Sequence, residues 1–198
     1  MRYTSNHKQA THERLLKLAA QEVRARGTEG VSVAGVMARA GLTHGGFYAH
    51  FASREAMIDA AVETMFADMR RRFDWANEAG LGADKRLLRY IDFYLSQEHR
   101  DHRESGCPLP SLPNDLARDD GQARRIFGEG LAALTRRMAG LLAELGEGDA
   151  LTAATALVAE LVGAVALARA VDDRAQSDAI LARTRAAIAQ RYRLEPAA

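Results

Sequence analysis

A turn at Gly41 joins two short segments of helical character, and this pattern constrains the fold more than any other feature of the sequence. Ser32 is a favourable N-cap residue, so a short helix is predicted over Val33–Ala40. Gly41 ends that helix, and Thr43 is positioned to cap a further short helix that runs to about His50. A helix, a tight glycine-containing turn and a second helix form the helix-turn-helix pattern, here with an extra helix ahead of it.

The rest of the chain also carries apolar residues at helical spacing between short breakers. With only four prolines in 198 residues and a weak β-branched signal, this predicts an all-α fold of about nine helices. The predicted helices outside the helix-turn-helix cover approximately 11–26, 53–73, 83–99, 109–118, 122–145, 149–171 and 177–192. We expect a helix-turn-helix head over residues 1–52 and a helical body over residues 53–198, joined by a helix rather than a flexible linker.

Charge is unevenly distributed along the chain, although the formal net charge is only +1. Residues 1–55 contain eight Lys or Arg and four Glu, and also four of the six histidines. The remainder contains 19 basic and 22 acidic residues. A basic head on a mildly acidic body suggests an anionic partner for the head, although ordinary surface scatter gives a similar pattern.

The composition and termini favour a cytoplasmic protein. A single cysteine excludes an intrachain disulfide and fits a reducing compartment. The N-terminal residues are polar and lack the apolar core of a signal peptide. The one span-like stretch, Leu151–Val171, is interrupted by Glu160, so we expect a buried or dimer-forming helix there and no membrane partner.

Residues 10–60 resemble the N-terminal domain of TetR-family transcriptional regulators. The matching residues are T-x-x-R-L-L-x-x-A from Thr11, then G-x-x-G-V-S-V-A-G-V-M-A-R-A-G-L-T-H-G-G-F-Y-A-H-F-A-S-R-E-A-M. The resemblance implies a homodimer that binds a palindromic double-stranded DNA operator, most often as a repressor, and responds to a small-molecule effector. It implies no enzymatic activity, and we expect neither a metal nor a cofactor.

The same resemblance, together with docking geometry, nominates the DNA-binding residues. N-terminal residues of the second helix of a helix-turn-helix reach base edges, and flanking polar residues contact phosphates. The predicted set is Ser32, Thr43, His44, Gly45, Gly46, Phe47, Tyr48, His50 and Arg54. Phe47 has a competing interpretation as a core residue, and His50 one as a packing residue.

Two adjacent glycines, Gly45 and Gly46, lie inside the short segment that should read DNA. Glycine weakens a helix interior by roughly 1 kcal/mol relative to alanine, so their presence needs a reason. Our hypothesis is that missing side chains let the backbone approach DNA closely. Because glycines cannot distinguish bases, the operator sequence cannot be read from them.

The body carries two further predicted surfaces. Apolar and aromatic residues suggest a hydrophobic or aromatic effector; the predicted pocket consists of Phe66, Met69, Tyr90, Phe93, Tyr94, Cys107 and Phe127. Stripes on the last two helices predict a dimer interface, as the family's four-helix bundle implies; its residues are Leu157, Leu161, Val165, Ile180, Thr184 and Ile188.

Cys107 precedes Pro108, which is a favoured first residue of a helix. A thiol at a helix N-terminus near basic groups is more easily ionised, and the G-C-P-L run resembles a segment in cysteine-sensing members of the family. The alternative is an inert structural cysteine. Two alternative functions remain for the whole chain. One is an enzyme that uses Cys107 with His99 or His102, and the other is a protein-interaction module that has lost DNA binding.

Overall fold

The structure is a computed structural model, and it describes residues 2–77 and 80–194. Within these ranges the chain is all-α, as predicted, with nine α-helices and two 3-10 helices. The α-helices are α1 (Arg2–Arg26), α2 (Val33–Arg39), α3 (Arg54–Ala76), α4 (Ala83–Tyr94), α5 (Gln97–Asp101), α6 (Pro113–Leu116), α7 (Gln122–Glu144), α8 (Ala150–Ala170) and α9 (Arg174–Arg191). The 3-10 helices are His44–Ala49 and Arg103–Ser105.

Several helices differ from the sequence predictions in their bounds or their type; α6, for example, is Pro113–Leu116 where 109–118 was predicted. α1 begins at Arg2 rather than near Thr11. The predicted helix over 83–99 is divided at Leu95, because Ser96 caps a separate short helix by accepting a hydrogen bond from the amide of His99 (3.1 Å). The segment predicted as a short helix in the DNA-reading position is a 3-10 helix.

The chain divides into two compact units, and the division differs from the expected boundary after residue 52. The first unit consists of residues 1–67 and 103–127, and the second of residues 68–102 and 128–198. The segment 103–127 therefore packs with the head in one unit. The expected functional boundary between head and body stays a prediction.

Inside the first unit, α1 and α2 pack together and the segment 103–127 braces them. The Arg24 side chain is buried, and its Nη1 lies 3.5 Å from the carbonyl oxygen of Glu104. The amide of Thr28 donates to Asp115 Oδ2 (2.8 Å). The core of this unit is formed mainly by Leu15, Ala19, Val23, Val36, Met37, Phe47, Phe51, Met57 and Val62.

In the second unit, α8 and α9 pack against each other and also contact α4. Its core is formed mainly by Leu87, Tyr90, Ile91, Tyr94, Met138, Leu142, Leu157, Leu161, Val165, Leu181 and Ile188. α8 has the length and hydropathy of a membrane span, with a mean hydropathy of 2.0, but the same test is passed by core helices of soluble proteins. One face of α8 is core here.

A buried arginine ties α5 to α9. Arg100 is 3% exposed and donates to Ser177 Oγ (2.8 Å) and Asp178 Oδ1 (2.5 Å). Arg169 of α8 donates to the carbonyl oxygens of His99 (2.8 Å) and Arg100 (3.1 Å). Because a buried charge without partners is costly, these contacts fix how α5 lies on α8 and α9.

Candidate nucleic-acid interface and ligand cavity

The turn between α2 and the 3-10 helix is closed by a pair of backbone hydrogen bonds. The amide of Leu42 donates to the carbonyl oxygen of Met37 (2.9 Å), and the amide of Gly41 donates to the carbonyl oxygen of Ala38 (2.9 Å). Gly41 has φ +67°, a conformation that favours glycine. This is a Schellman-type helix end, and it sets the direction in which the chain enters the segment that follows.

Serine caps lie on both sides of the segment, the predicted cap Ser32 before α2 and Ser53 before α3. Ser32 accepts a hydrogen bond from the amide of Gly35 (3.0 Å), and Ser53 accepts one from the amide of Ala56 (3.1 Å). Thr43 occupies the N-cap position of the 3-10 helix but its side chain makes no capping bond, so that part of the prediction is wrong. The exposed Thr43 hydroxyl is therefore not committed to the helix end.

The 3-10 helix presents its polar residues outward and its phenylalanine inward. Tyr48 is 70% exposed, and Thr43, His44 and Gly45 are also exposed. Phe47 is 1% exposed and packs against Phe51, with ring centroids 5.5 Å apart. The burial of Phe47 favours the core interpretation of this residue, and its place in the DNA-binding set stays a prediction.

Neither glycine of the pair is required by the protein's own packing. A Cβ added at Gly45 would meet no atom within 4 Å, and one at Gly46 would lie 3.6 Å from Met37 Cε, an ordinary contact. Neither residue has a positive φ, unlike Gly41. The packing and backbone conformation of the chain therefore give no reason for glycine at either position.

His50 is half-buried against α1. Its ring stacks on His12, with centroids 6.0 Å apart, and its Nδ1 is buried without a hydrogen bond to the described residues. Burial, and then the charges of His12 and Lys8, lower the pKa of His50. These contacts favour the packing interpretation of His50, although a phosphate contact stays a prediction.

Arg54 differs most from its predicted role. Its guanidinium donates to the carbonyl oxygens of Thr28 (2.5 Å), Glu29 (3.4 Å) and Val31 (3.0 Å). Arg54 thus fixes the loop between α1 and α2 to the start of α3, and we assign it a positioning role. Arg14 is similarly engaged, because it donates to the carbonyl of Ala40 at the end of α2 (2.5 Å).

Five of the seven residues predicted for the effector pocket are core residues: Phe66, Met69, Tyr90, Tyr94 and Cys107. Intrachain packing covers these side chains, and a role for them in effector binding stays a prediction. Phe127 is half-buried and packs edge-on against Phe66. Only Phe93 among the seven lines the ligand-sized cavity described next.

That cavity, of about 640 Å³, lies in the second unit between the end of α3, α4 and α9. Its lining residues are Trp75, Leu81, Lys85, Leu88, Arg89, Asp92, Phe93, Ser96, Glu98 and Arg185. Lys85 and Arg89 were not among the residues predicted to line a pocket. They lie four residues apart on a predicted helix, close to the only tryptophan of the sequence, and this spacing could have indicated a shared surface.

Cys107 does not lie at a helix N-terminus, contrary to the prediction. Residues 108–112 form a turn, and α6 begins only at Pro113. The Cys107 side chain is also buried. The argument that a helix N-terminus activates this thiol is therefore wrong.

The proposed histidine partner of Cys107 is also engaged elsewhere. His99, in the second unit, is buried and donates from Nδ1 to the carbonyl oxygen of Tyr94 (2.6 Å). Burial lowers the pKa of His99 to about 4, so the ring is neutral near pH 7. His102 is exposed and lies 3.1 Å through its Nδ1 from the carbonyl of Glu98.

The predicted dimer residues lie mainly inside the single chain. Leu157, Leu161, Val165 and Ile188 are each at most 2% exposed, so they pack inside the chain, and their contact with a partner stays a prediction. Ile180 and Thr184 are half-buried. The residues exposed or half-exposed on the outer face are Thr152, Thr155, Ala156, Ala159, Gly163, Ala166, Leu167 and Ala170 on α8, with Ala175, Ala179, Ala182 and Ala186 on α9.

Comparisons with known proteins give one family and one fold. The sequence profile described as "Bacterial regulatory proteins, tetR family" matches residues 15–61. No curated protein sequence matches the chain significantly. The crystal structure of E. coli NemR in its reduced form is similar over 91% of this chain and 96% of that chain, with a TM-score of 0.80 and 23% identity.

Two further solved structures have the same fold. A TetR transcriptional regulator from Chloroflexus aurantiacus is 24% identical, with a TM-score of 0.78 over 93% of this chain and 97% of that chain. A TetR-family regulator from Agrobacterium tumefaciens is 16% identical, with a TM-score of 0.81 over 93% and 98%. The chain therefore carries the N-terminal domain of the tetR family of bacterial regulatory proteins, within the fold that TetR-family transcriptional regulators share.

Proposed function

We propose that this protein is a ligand-responsive transcriptional regulator that binds a palindromic DNA operator as a homodimer and represses transcription until an effector releases it. The observation that carries the proposal is the glycine pair formed by the exposed Gly45 and the half-buried Gly46. The chain itself does not require glycine at either position, and the pair lies at the start of the segment that reads DNA in a helix-turn-helix.

Docking in the major groove explains that observation. Without side chains at Gly45 and Gly46, the backbone can come close to the bases and phosphates, while the flanking Thr43 and His44 remain long enough to reach base edges. Tyr48 projects from the same exposed segment and can donate its hydroxyl to a phosphate oxygen. Buried Phe47 holds the segment to the core from behind.

Electrostatics support the same surface. Residues 1–55 carry twice as many basic as acidic side chains, whereas the rest of the chain is slightly acidic. Lys8, close to His50, is exposed and makes no ion pair within the described residues. A basic head attracts the DNA backbone, which supplies affinity that does not depend on sequence.

A homodimer is supported by the outer face of α8 and α9. This face consists of alanine, threonine and glycine, with Leu167 at 60% exposure. A Cβ added at Gly163 would meet no atom within 4 Å, so packing within the chain does not require glycine at this position either. Small residues allow two copies to pack helix against helix at close distance, and a two-fold axis between them matches a palindromic operator. Repression rather than activation follows from the family resemblance alone.

The test begins with selection of bound duplexes from a random DNA pool by the full chain. The proposal predicts an enriched palindrome that is protected in a footprint, with affinity that falls steeply as salt rises. Duplexes with no common sequence, or no protected palindrome, would overturn it.

Tyr48→Ala then tests the docking on the selected operator. We expect operator affinity to fall about tenfold, because one backbone contact is lost, with the dimer intact by sedimentation. Tyr192→Ala, at the end of α9, is the matched control and should bind as the parent protein does. Equal operator affinity of Tyr48→Ala and the parent would count against this docking.

A further inference from the structure

We propose that the cavity between α3, α4 and α9 binds a bulky aromatic monocarboxylate, with its ring against Trp75 and its carboxylate at Lys85. The cavity volume of about 640 Å³ is typical of small-molecule sites, which range from about 300 to 1,000 Å³. Ligand binding in this cavity does not depend on the proposed function. Only the identification of this ligand as the effector rests on it.

The apolar part of the cavity is built around an exposed tryptophan. Trp75 is 50% exposed although it is large and apolar. It lies edge-to-face with Phe93 (centroids 6.4 Å apart), and Leu81 and Leu88 line the same cavity. Such a surface gains most from a flat apolar ligand, because stacking adds to the burial of apolar area.

Cations already occupy a face of each aromatic ring. The Arg89 guanidinium carbon lies 3.9 Å from the Trp75 ring centroid, and that of Arg72 lies 4.8 Å from the Phe93 centroid. These contacts hold the rings in place and put positive charge beside them. A cationic ligand would meet this charge, so the same arrangement favours an anionic one.

Lys85 is the group that would bind the anion. It is exposed, lines the cavity one helical turn before Arg89, and makes no ion pair within the described part of the chain. Arg185, in contrast, is paired with Asp92 (2.5 Å), and the Asp92 carboxylate raises the pKa of Arg185. Arg185 is therefore already neutralised by a partner of this chain.

The acidic lining residues limit the ligand to one negative charge. Asp92 and Glu98 line the cavity with the three basic residues, and Asp92 is compensated by Arg185. Glu98 would repel a second carboxylate. A single carboxylate at Lys85, with the aromatic body toward Trp75, satisfies both the apolar and the charged parts of the lining.

Trp75 makes the proposal directly measurable, because it is the only tryptophan in the chain. The full-length protein is titrated with 4-tert-butylbenzoate, the neutral 4-tert-butylbenzamide and the cationic 4-tert-butylbenzylamine while tryptophan fluorescence is recorded. We expect a saturable change with the carboxylate and an affinity about fivefold higher than for the amide, the equivalent of one charge-assisted contact near the surface.

Lys85→Gln isolates the charge, and Lys17→Gln on α1 is its matched control. Lys85→Gln should reduce carboxylate affinity about fivefold and leave amide affinity unchanged, whereas Lys17→Gln should alter neither. Leu81→Glu, at an exposed position on the rim, should weaken carboxylate binding further. Circular dichroism of each variant serves as a folding control. If a variant keeps the helical spectrum of the parent, unfolding cannot explain a loss of its fluorescence response.

No saturable response to any of the three probes, equal or tighter binding of the amide or amine, or an unaltered carboxylate affinity in Lys85→Gln would each overturn the assignment. DNA binding is measured separately on the protein without probe. Absence of operator binding there would remove the proposed function and leave the cavity assignment standing. Saturable carboxylate binding that does not change operator affinity would identify a ligand site that is not the effector site.

Discussion

The segment from Gly41 to Arg54 and the helix pair α8–α9 are both rich in small and apolar residues, but their sequences are informative to different degrees. In the first, the turn at Gly41 and the Ser32 cap were predicted from the sequence pattern, whereas Phe47 was open to both a DNA-binding and a core interpretation. In the second, the helices were predicted, but which residues face a partner stays a prediction. Local backbone chemistry fixes the first region, whereas the second depends on which helix face finds a partner.

The reason is visible in α8. This helix is apolar almost all round, so its sequence does not indicate which face packs inside the chain. The core face of α8 holds Leu157, Leu161 and Val165 together with the small residues Ala154, Ala164 and Ala168. The remaining surface of the helix is mostly small residues but includes the exposed Leu151 and Leu167. Large apolar residues gain most from burial within the chain, while small residues allow close approach of a second copy.

Two leucines on α8, one on each face, allow the two faces to be tested separately. Their substitution should give the largest change in stability. Leu157→Ala should lower the free energy of unfolding by about 2–5 kcal/mol, because a core methyl cluster is lost. Leu167→Ala, at 60% exposure, should leave the intrinsic stability within about 0.5 kcal/mol of the parent.

The two variants are compared by urea unfolding at several protein concentrations and by sedimentation. The Leu157→Ala deficit should persist at all concentrations, whereas Leu167→Ala should weaken only the association and so act only through concentration. A dimer weakened by Leu157→Ala, with unaltered unfolding, would support the interface predicted from the sequence.

The interior of the second unit should also make stability depend on pH. The pKa of His99 is lowered by burial from 6.5 to about 4, so between these values the unfolded chain binds a proton that the folded chain does not. Stability should therefore fall as pH drops through this window, by up to about 3 kcal/mol. The measurement is urea unfolding at a series of pH values.

His99→Gln retains a donor for the Tyr94 carbonyl and removes the titration, so its stability should vary less with pH than that of the parent. His102→Gln, at an exposed position three residues away, is the control and should retain the parent slope. A parent slope that survives in His99→Gln would show that another group causes the pH dependence.

The contrast between Gly41 and Gly45 gives the smallest change in stability. Gly41 has φ +67°, so Gly41→Ala should lower the free energy of unfolding by about 1–2 kcal/mol. The Cβ added by Gly45→Ala would have no atom of the chain within 4 Å, so the free energy of unfolding should stay the same or rise by up to about 1 kcal/mol. Thermal unfolding of both variants checks this, and equal destabilisation would mean that Gly45 has an unrecognised role inside the fold.

Other parts of the fold and site could not be predicted because they depend on contacts distant in sequence. Asp115 accepts a hydrogen bond from the amide of Thr28, and Arg54 donates one to the Thr28 carbonyl oxygen, although 87 and 26 residues separate the respective pairs. No local pattern marks either contact. The same holds for the cavity, where Arg185 of α9 meets Asp92 of α4. The Ser32 cap and the turn at Gly41 were predicted because they are encoded within a few residues, whereas the 3-10 form of His44–Ala49 and the missing Thr43 cap were not.

The most direct test of the central claim is operator affinity of Gly45→Ala at unaltered stability. Fluorescence anisotropy with the selected operator should show affinity at least tenfold weaker than that of the parent, about 1.4 kcal/mol. Gly140→Ala on α7, where an added Cβ also meets no atom within 4 Å, should bind as the parent does. Full operator affinity in Gly45→Ala would contradict the account, because the missing side chain would then serve no close approach to DNA.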